Sequence, residues 1–404
     1  VVLAVARKTL FFILLALIFG NSTCFPAILA VPDNYPSISA AIGLAEDGDT
    51  ILVRPGTYKE NPRIEQKSLL LTSEFLYDSS FSSIEATIID GSDPSDAQKG
   101  STVTAATSLA DGSGVMGFTI TGGVGTFLGD RYAGGGVLIL DCPNVSIAHN
   151  LIVDNAATYG GGLTAYNCGP KVEHNVIIDN SATYAGGIDL VGSQAVVMRN
   201  VLYANDATYS GGGICVSESG SAIFNDNVVM MNSADVGGGI SCESDSPQIA
   251  YNCFWQNTGG DFSACDDVLG DTTCCINYNR VPCDTYSNVF RNPGFVNTEE
   301  NDFTVLCSSA VIDAGSKINP DKPIGGKRTD IGLLEYEYSS GDFNGVDLLD
   351  IDDLVLLIDY IYHDGNAACP LLRADFNCDG KINSLDISLT IAYLFRGGTG
   401  PCDF

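Results

Sequence analysis

The sequence predicts an all-β solenoid, a parallel β-helix, followed by a small all-α module built on paired calcium loops. Three observations carry this. Glycine clusters recur with a period near 25 residues, asparagines recur in two registers at the same period, and a loop-plus-helix unit rich in Asp and Asn is duplicated at the C-terminus.

The N-terminus is read first. Arg7 and Lys8 precede an apolar run from Leu10 to Phe19, and the small residues Ala27 and Ala30 follow. Basic, apolar and small in that order is the pattern of a secretory leader, and the run is too short for a comfortable membrane span. Residues 1–30 are therefore expected to be a signal peptide removed after Ala27 or Ala30. The mature chain is expected outside the cell, with no transmembrane segment. Asn21-Ser22-Thr23 makes a poor lipid-attachment box for Cys24.

Residues 31–338 are expected to form the solenoid. Its ladder begins near Tyr35, where a short amphipathic helix over Ile38 to Ala45 would cap the open end of the stack. A strand over Thr50 to Val53, a turn at Pro55-Gly56, and strands within Ala86–Gly91 and Gly117–Gly123 follow. Ser92 to Ser113 is rich in small polar residues and reads as a projecting loop. From Gly134 the repeat is explicit. The last glycines of successive clusters, Gly136, Gly162, Gly187, Gly213 and Gly239, step by 26, 25, 26 and 26 residues. One asparagine ladder runs through Asn150, Asn175, Asn200, Asn227 and Asn252, and another through Asn155, Asn180, Asn205, Asn232 and Asn257. Short Val- and Ile-rich runs between these markers alternate like strands, and glycine triplets would weaken any helix laid across them. Stacking such units pairs each strand with its copy one repeat later, about 4.8 Å away. Asparagine side chains are expected to stack at the corners, where they can bond backbone groups and tolerate left-handed dihedrals, and glycines are expected where the chain turns sharply.

The 14 cysteines suit an oxidising compartment and concentrate between Cys242 and Cys307. Their order does not spell a tetrahedral zinc site. Disulfides are the expected use, with connectivity open; one stapling the ends of the C-terminal module is compatible with Cys369, Cys378 and Cys402.

Residues 339–404 form the expected second domain. Asp375, Asn377 and Asp379 occupy positions one, three and five of a twelve-residue calcium loop, with Gly380 at the turn. The carbonyl of Lys381 serves position seven, Asn383 position nine and Asp386 position twelve. A hard cation needs such a cluster of oxygens, and alternate residues point inward to supply it. The first copy lies 33 residues earlier and is degenerate. Asp342, Asn344, Asp350 and Asp353 match positions one, three, nine and twelve, and the Leu348 carbonyl matches seven. Position five is Val346, and Asp347 replaces the turn glycine. The second loop is thus expected to bind Ca2+ more tightly. Helices are expected over Leu354 to Tyr362 and Ile387 to Phe395.

Two resemblances follow from these strings. The ladder, with DGDTILVRPGTYKE before it and SAVIDAG and TDIGLLEY after it, resembles the right-handed parallel β-helix proteins of the pectin-lyase-like superfamily. Residues Gly341 to about Phe395 resemble a type I dockerin. The second resemblance implies two calcium-dependent loop-helix units that dock on a cohesin-like protein domain. The first implies a right-handed coil and a polysaccharide ligand.

Charge narrows the function. Nineteen Lys and Arg against 49 Asp and Glu give a net charge of −30, without the basic footprint that nucleic-acid binding requires. Two readings stay open for the solenoid. One is glycan recognition by an exposed face that includes Tyr159, Tyr184 and Tyr209. The alternative is a polysaccharide lyase or glycoside hydrolase acting on pectin-like or other acidic polysaccharides. Its candidate residues are His149, His174 and Arg199, from the column before the first asparagine ladder, and Asp154 and Asp179, from the column before the second. These are acid, base and cation types suited to glycoside hydrolysis or β-elimination. The motif strings of polygalacturonases and pectin esterases are absent.

Overall fold

The computed structural model describes residues 26–106, 113–218, 221–243, 246–277, 281–316, 328–336, 341–344, 349–363, 365–379 and 381–402. The expected leader, up to residue 25, lies outside them. No helix among the described residues is long and apolar enough to cross a membrane.

The repeat folds as the period demands. Each full rung contributes one strand to each of four sheets, as in Val145–Ala148, Leu151–Val153, Ala156–Tyr159 and Leu163–Tyr166. Three of these sheets are parallel, with nine, eight and eight strands; the fourth has six and starts antiparallel. Register is one repeat, so interior residues stack on their own copies. In the first sheet Ile147, Val172, Val197, Phe224 and Ile249 form one such column. All five are buried in a single apolar core. No rung closes its own core, and burial comes from stacking.

The first strand, Ile28–Val31, pairs with Thr50–Val53 and buries Leu29 and Val31. The solenoid therefore starts before Tyr35, and the expected leader boundary after residue 30 falls inside a rung. The capping helix spans Ile38–Leu44, with the Ser37 hydroxyl accepting from the Ala40 N–H. The expected loop over Ser92–Ser113 is corrected in part. Val103–Ala106 is an interior rung of the third sheet, paired with Arg63–Glu65 and Val137–Leu140. Small residues hid it: Val103, Thr104 and Ala105 are buried, yet their run reads as polar and loop-like.

The asparagines stack and bond backbone groups as expected, but they are not the left-handed residues. The left-handed residue at each corner is the one preceding the asparagine: His149, His174, Arg199, Asp226 and Tyr251 in one column, Asp154, Asp179, Ala204, Met231 and Gln256 in the other. The asparagine behind it turns inward. Asn175 donates from Nδ2 to the carbonyls of Ile147 and Glu173 and to Asn200 Oδ1, and its backbone N–H also reaches Asn200 Oδ1 at 2.9 Å. The ladder thereby satisfies buried backbone groups that no strand reaches. It runs one step further than the sequence spacing shows, because Asn252 bonds Asn288 across a 36-residue excursion.

Glycine is required where rungs approach most closely. A side chain on Gly161 would place Cβ 2.5 Å from the Ser181 carbonyl oxygen, and Gly160 sits at φ +61.

Residues 311–314 and 331–333 lie over the outside of the second sheet. Val311, Ala314 and Ile331 pack on Leu151, Val176, Val201 and Val228. Two helices, Ile351–Tyr362 and Ser384–Arg396, form the C-terminal module around Phe343, Leu354, Leu357 and Ile387. Both begin earlier than expected, because Asp350 and Asn383 act as N-caps.

Candidate functional site

In the second loop the ligand positions are dual-purpose. Asn383 caps the following helix and Asp386 completes the capping box. Asp386 Oδ1 accepts from the Phe376 N–H at 3.0 Å and Oδ2 from the Asn383 N–H at 2.8 Å. Asp379 accepts from the Lys381 N–H, and its own N–H reaches Asn377 Oδ1 and Asp375 Oδ1. Asp375 and Asp386 are wholly buried. Burial raises the Asp386 carboxyl above the usual carboxylate range, and the charge of Asp379 raises it further. Among the described residues no three His, Cys, Asp or Glu converge tightly enough to hold a metal, and no ion pair reaches Asp386. The donor set still fits a hard cation: five oxygen-bearing side chains, Asp375, Asn377, Asp379, Asn383 and Asp386, two of them buried carboxylates, lie in one loop without a neutralising side chain at its closing position. Gly380 lies outside the described residues.

The opening carboxylate of the first loop, Asp342, is paired with an arginine. Arg373, one turn before the second loop, places Nη1 3.2 Å from Asp342 Oδ2, with both side chains buried. Asp353 accepts from the Asn344 and Asp350 N–H groups, the same box that Asp386 forms. Val346, Asp347 and Leu348 lie outside the described residues.

The cysteines tie this module down. Cys378 pairs with Cys402 inside it, while Cys369 pairs with Cys307, which precedes the segment returning over the solenoid. Ile312 packs with Tyr336, Cys378 and Cys402. Cys307–Cys369 thus fastens the module covalently to the chain before it, and Cys378–Cys402 is the staple within the module whose pairing the sequence left open. A third bridge joins Cys242 to Cys265.

The two candidate catalytic columns form as columns but do not form one site. His149 and His174 stack at 4.8 Å, and Phe75 lies against His149. Burial pushes His174 down to about 4, with the charges of His149 and Arg199 adding to it. A base so weak is a poor match to proton abstraction near neutral pH. Arg199 pairs with Glu335 at 3.3 Å, and Asp226 in the same column accepts from the Ser316 N–H and hydroxyl. The returning segment thus roofs that end of the column. Asp154 and Asp179 sit at the next corner, beyond a three-residue strand, roughly 10 Å on at 3.3 Å per residue. They do sense each other: Asp179 is raised by burial and by the charge of Asp154.

Another candidate site lies on a different face. A groove of about 510 Å³ runs where the fourth sheet meets the third, lined by Arg131, Tyr159, Tyr184, Asp189, Glu218 and Glu243. A second hollow of about 390 Å³ shares Arg131, Tyr159, Asp189 and Glu218 and adds Asp130 and Asp141. Arg131 is held by Asp130 at 2.9 and 3.0 Å and lies 4.6 Å over the Tyr159 ring. Tyr159 stacks on Tyr184 at 5.0 Å, and Tyr184 on Tyr209 at 5.3 Å. The tyrosine faces are therefore turned on one another and on Arg131, so the wall they offer is one of ring edges and hydroxyls. Asp189 stands in register between Thr164 and Cys215 and is 3% exposed.

Burial raises the Asp189 carboxyl to about 7; the charges of Glu243 and Glu218 add to this and that of Arg131 opposes it. These, with Tyr159 and Cys215, are the titratable groups facing it. A carboxyl raised on folding binds more protons in the folded state, so its contribution to stability falls as pH rises from about 4 to about 7. Asp189→Asn is expected to raise Tm at pH 8 and to change it little at pH 4, read by thermal melts; an equal effect at both would show Asp189 already ionised. Sequence reasoning missed this acid. The visible signal was one charged residue, Asp189, among the apolar positions of the IDLV strand.

Known proteins bear on these two parts separately. Residues 82–254 match the family model described as right handed beta helix region, and residues 340–395 match the dockerin type I domain. No curated protein matches the chain. Among solved structures it is similar to pectate lyase Pel9A, at 14% identity and a TM-score of 0.40, covering 77% of this chain and 97% of that one. It is also similar to the pectin methylesterase from Aspergillus niger, at 15% identity and a TM-score of 0.29, covering 64% of this chain and 94% of that one. At such values these likenesses carry no argument about activity.

Proposed function

We propose that this chain, a right-handed parallel β-helix carrying a type I dockerin module, is an exported glycan-recognition protein that docks on a cohesin-type partner through a calcium-ordered C-terminus. The observation that carries the docking half is the second loop, where buried Asp375 and Asp386 share one stretch of chain with the oxygen-bearing Asn377, Asp379 and Asn383. Calcium bound there would offset repulsion among Asp375, Asp379 and Asp386, so its binding free energy becomes stability of the module. Exposed Leu356 and Tyr362 on one helix and Tyr393 and Phe395 on the other supply the apolar surface a protein partner would cover. The domains of this reading are a leader, a solenoid to residue 338 and the module from 339. The leader ends at or before Ala27, because a cut after Ala30 would remove most of the strand Ile28–Val31.

Calorimetric titration of the full chain tests the metal half. Asp386→Ala is expected to weaken the tight calcium site by at least about 100-fold, above the range seen for groups one shell further out. Asp353→Ala in the first loop is expected to leave that site nearly unchanged. Equal losses at both positions would overturn the ranking of the loops.

One observation favours the hydrolase alternative: Asp189 stays protonated to about pH 7 beside Glu218 and Glu243, an acid next to carboxylates of the kind glycoside hydrolysis uses. Release of reducing ends by wild type and not by Asp189→Ala is the result that would establish it.

A further inference from the structure

The groove holds an unmet requirement. Asp189 is 97% buried and lines both hollows, yet no group among the described residues donates a hydrogen bond to it. Its nearest cation, Arg131, is committed in two hydrogen bonds to Asp130. Its carboxyl oxygens are not closed off but open on the groove, where an entering molecule can replace water as their partner. The surroundings say which kind of molecule that is. Asp130, Asp141, Glu218 and Glu243 line the same walls, and Arg131 is the cation among the lining residues. A uronic-acid polymer would bring its carboxylates against these at short range, where like charges repel most strongly. A sugar hydroxyl carries no charge and both donates and accepts. The tyrosine stack adds a row of phenol edges that repeats with the rungs, about 5 Å apart.

We propose that this groove binds an uncharged glycan, whose hydroxyls accept from the Asp189 carboxyl and donate to Glu218 and Glu243. The inference rests on the glycan-recognition reading above and names its ligand class. It separates the solenoid from an acidic, pectin-like ligand.

The test is calorimetric titration of the full chain with soluble neutral β-glucan, galactan and mannan, and with polygalacturonate, at pH 5.5. Each is run with chelator and again with calcium. At least one neutral polymer is expected to bind, and polygalacturonate is expected not to. Asp189→Ala is expected to weaken binding by about tenfold or more, as loss of one hydrogen bond to a buried acid implies. Asp189→Asn keeps an N–H donor without charge and is expected to bind within about threefold of wild type, since its hydrogen bond survives. Circular dichroism and melting checks that both variants are folded. Polygalacturonate bound more tightly than every neutral polymer, with or without calcium, would overturn the ligand class and leave glycan recognition standing. No binding to any polymer would overturn both. Unchanged binding in the Ala variant would remove Asp189 from the site, and an Asn variant as weak as the Ala variant would overturn the role of its hydrogen-bond donor.

Discussion

Asn200→Ala is expected to destabilise the solenoid by about 3–6 kcal/mol, from two or three buried polar groups left unpaired at about 1–3 kcal/mol each. Asn200 is fully buried. Its Nδ2 donates to the carbonyls of Val172 and Met198 and to Asn227 Oδ1. Its Oδ1 accepts from the backbone N–H and the side chain of Asn175. Alanine supplies none of these, and the closed interior admits no water to replace them. Damage is expected to spread, because neighbouring rungs share the ladder and a solenoid unfolds by losing nearest-neighbour interfaces. Asn257 is the control. It ends the second ladder, is partly exposed, and accepts from Asn232 at 3.1 Å. Asn257→Ala should cost clearly less, since water reaches the groups it abandons. Denaturant unfolding of both variants decides the point, and equal losses would mean the buried ladder adds nothing beyond a surface hydrogen bond.

Arg373→Met is expected to cost the C-terminal module about 3–5 kcal/mol, the range for removing one partner of a buried ion pair. The arginine reaches both the carboxylate and the carbonyl of Asp342, at 3.2 and 3.4 Å. Methionine keeps most of the volume and none of the charge, so a carboxylate is left buried beside it. The paired change Asp342→Asn with Arg373→Met should recover much of the loss, as a double-mutant cycle would read. The module is fastened by Cys307–Cys369, so melts are best followed with the disulfides intact and calcium chelated. If calcium, and not Arg373, neutralised the first loop, the substitution would be harmless in calcium-loaded protein. Titration of the unmodified chain would then count two tight ions.

The sequence alone determined the architecture, and the reason is the period. In a stacked coil each residue meets its own copy one repeat later, so the contacts that build the fold are written as repetition. Gly136 to Gly239 and the two asparagine ladders display it. Local chemistry likewise marked the C-terminal loops, since the Asp and Asn pattern of Asp375 to Asp386 lies in a single stretch of chain, and it foretold the helices that follow. Tertiary structure alone decided whatever joins residues with no fixed spacing. Arg373 meets Asp342 across 31 residues, and Ser316 meets Asp226 across 90, which roofs one end of the column that the sequence offered as catalytic. Asn288 enters the ladder only because an irregular excursion returns in register. Asp189 shares its groove with Arg131, Glu218 and Glu243 from other rungs, where burial and neighbouring charge change its chemistry. A side chain's burial and its field depend on which surfaces close over it, and single insertions in a repeat leave no periodic trace of that closure.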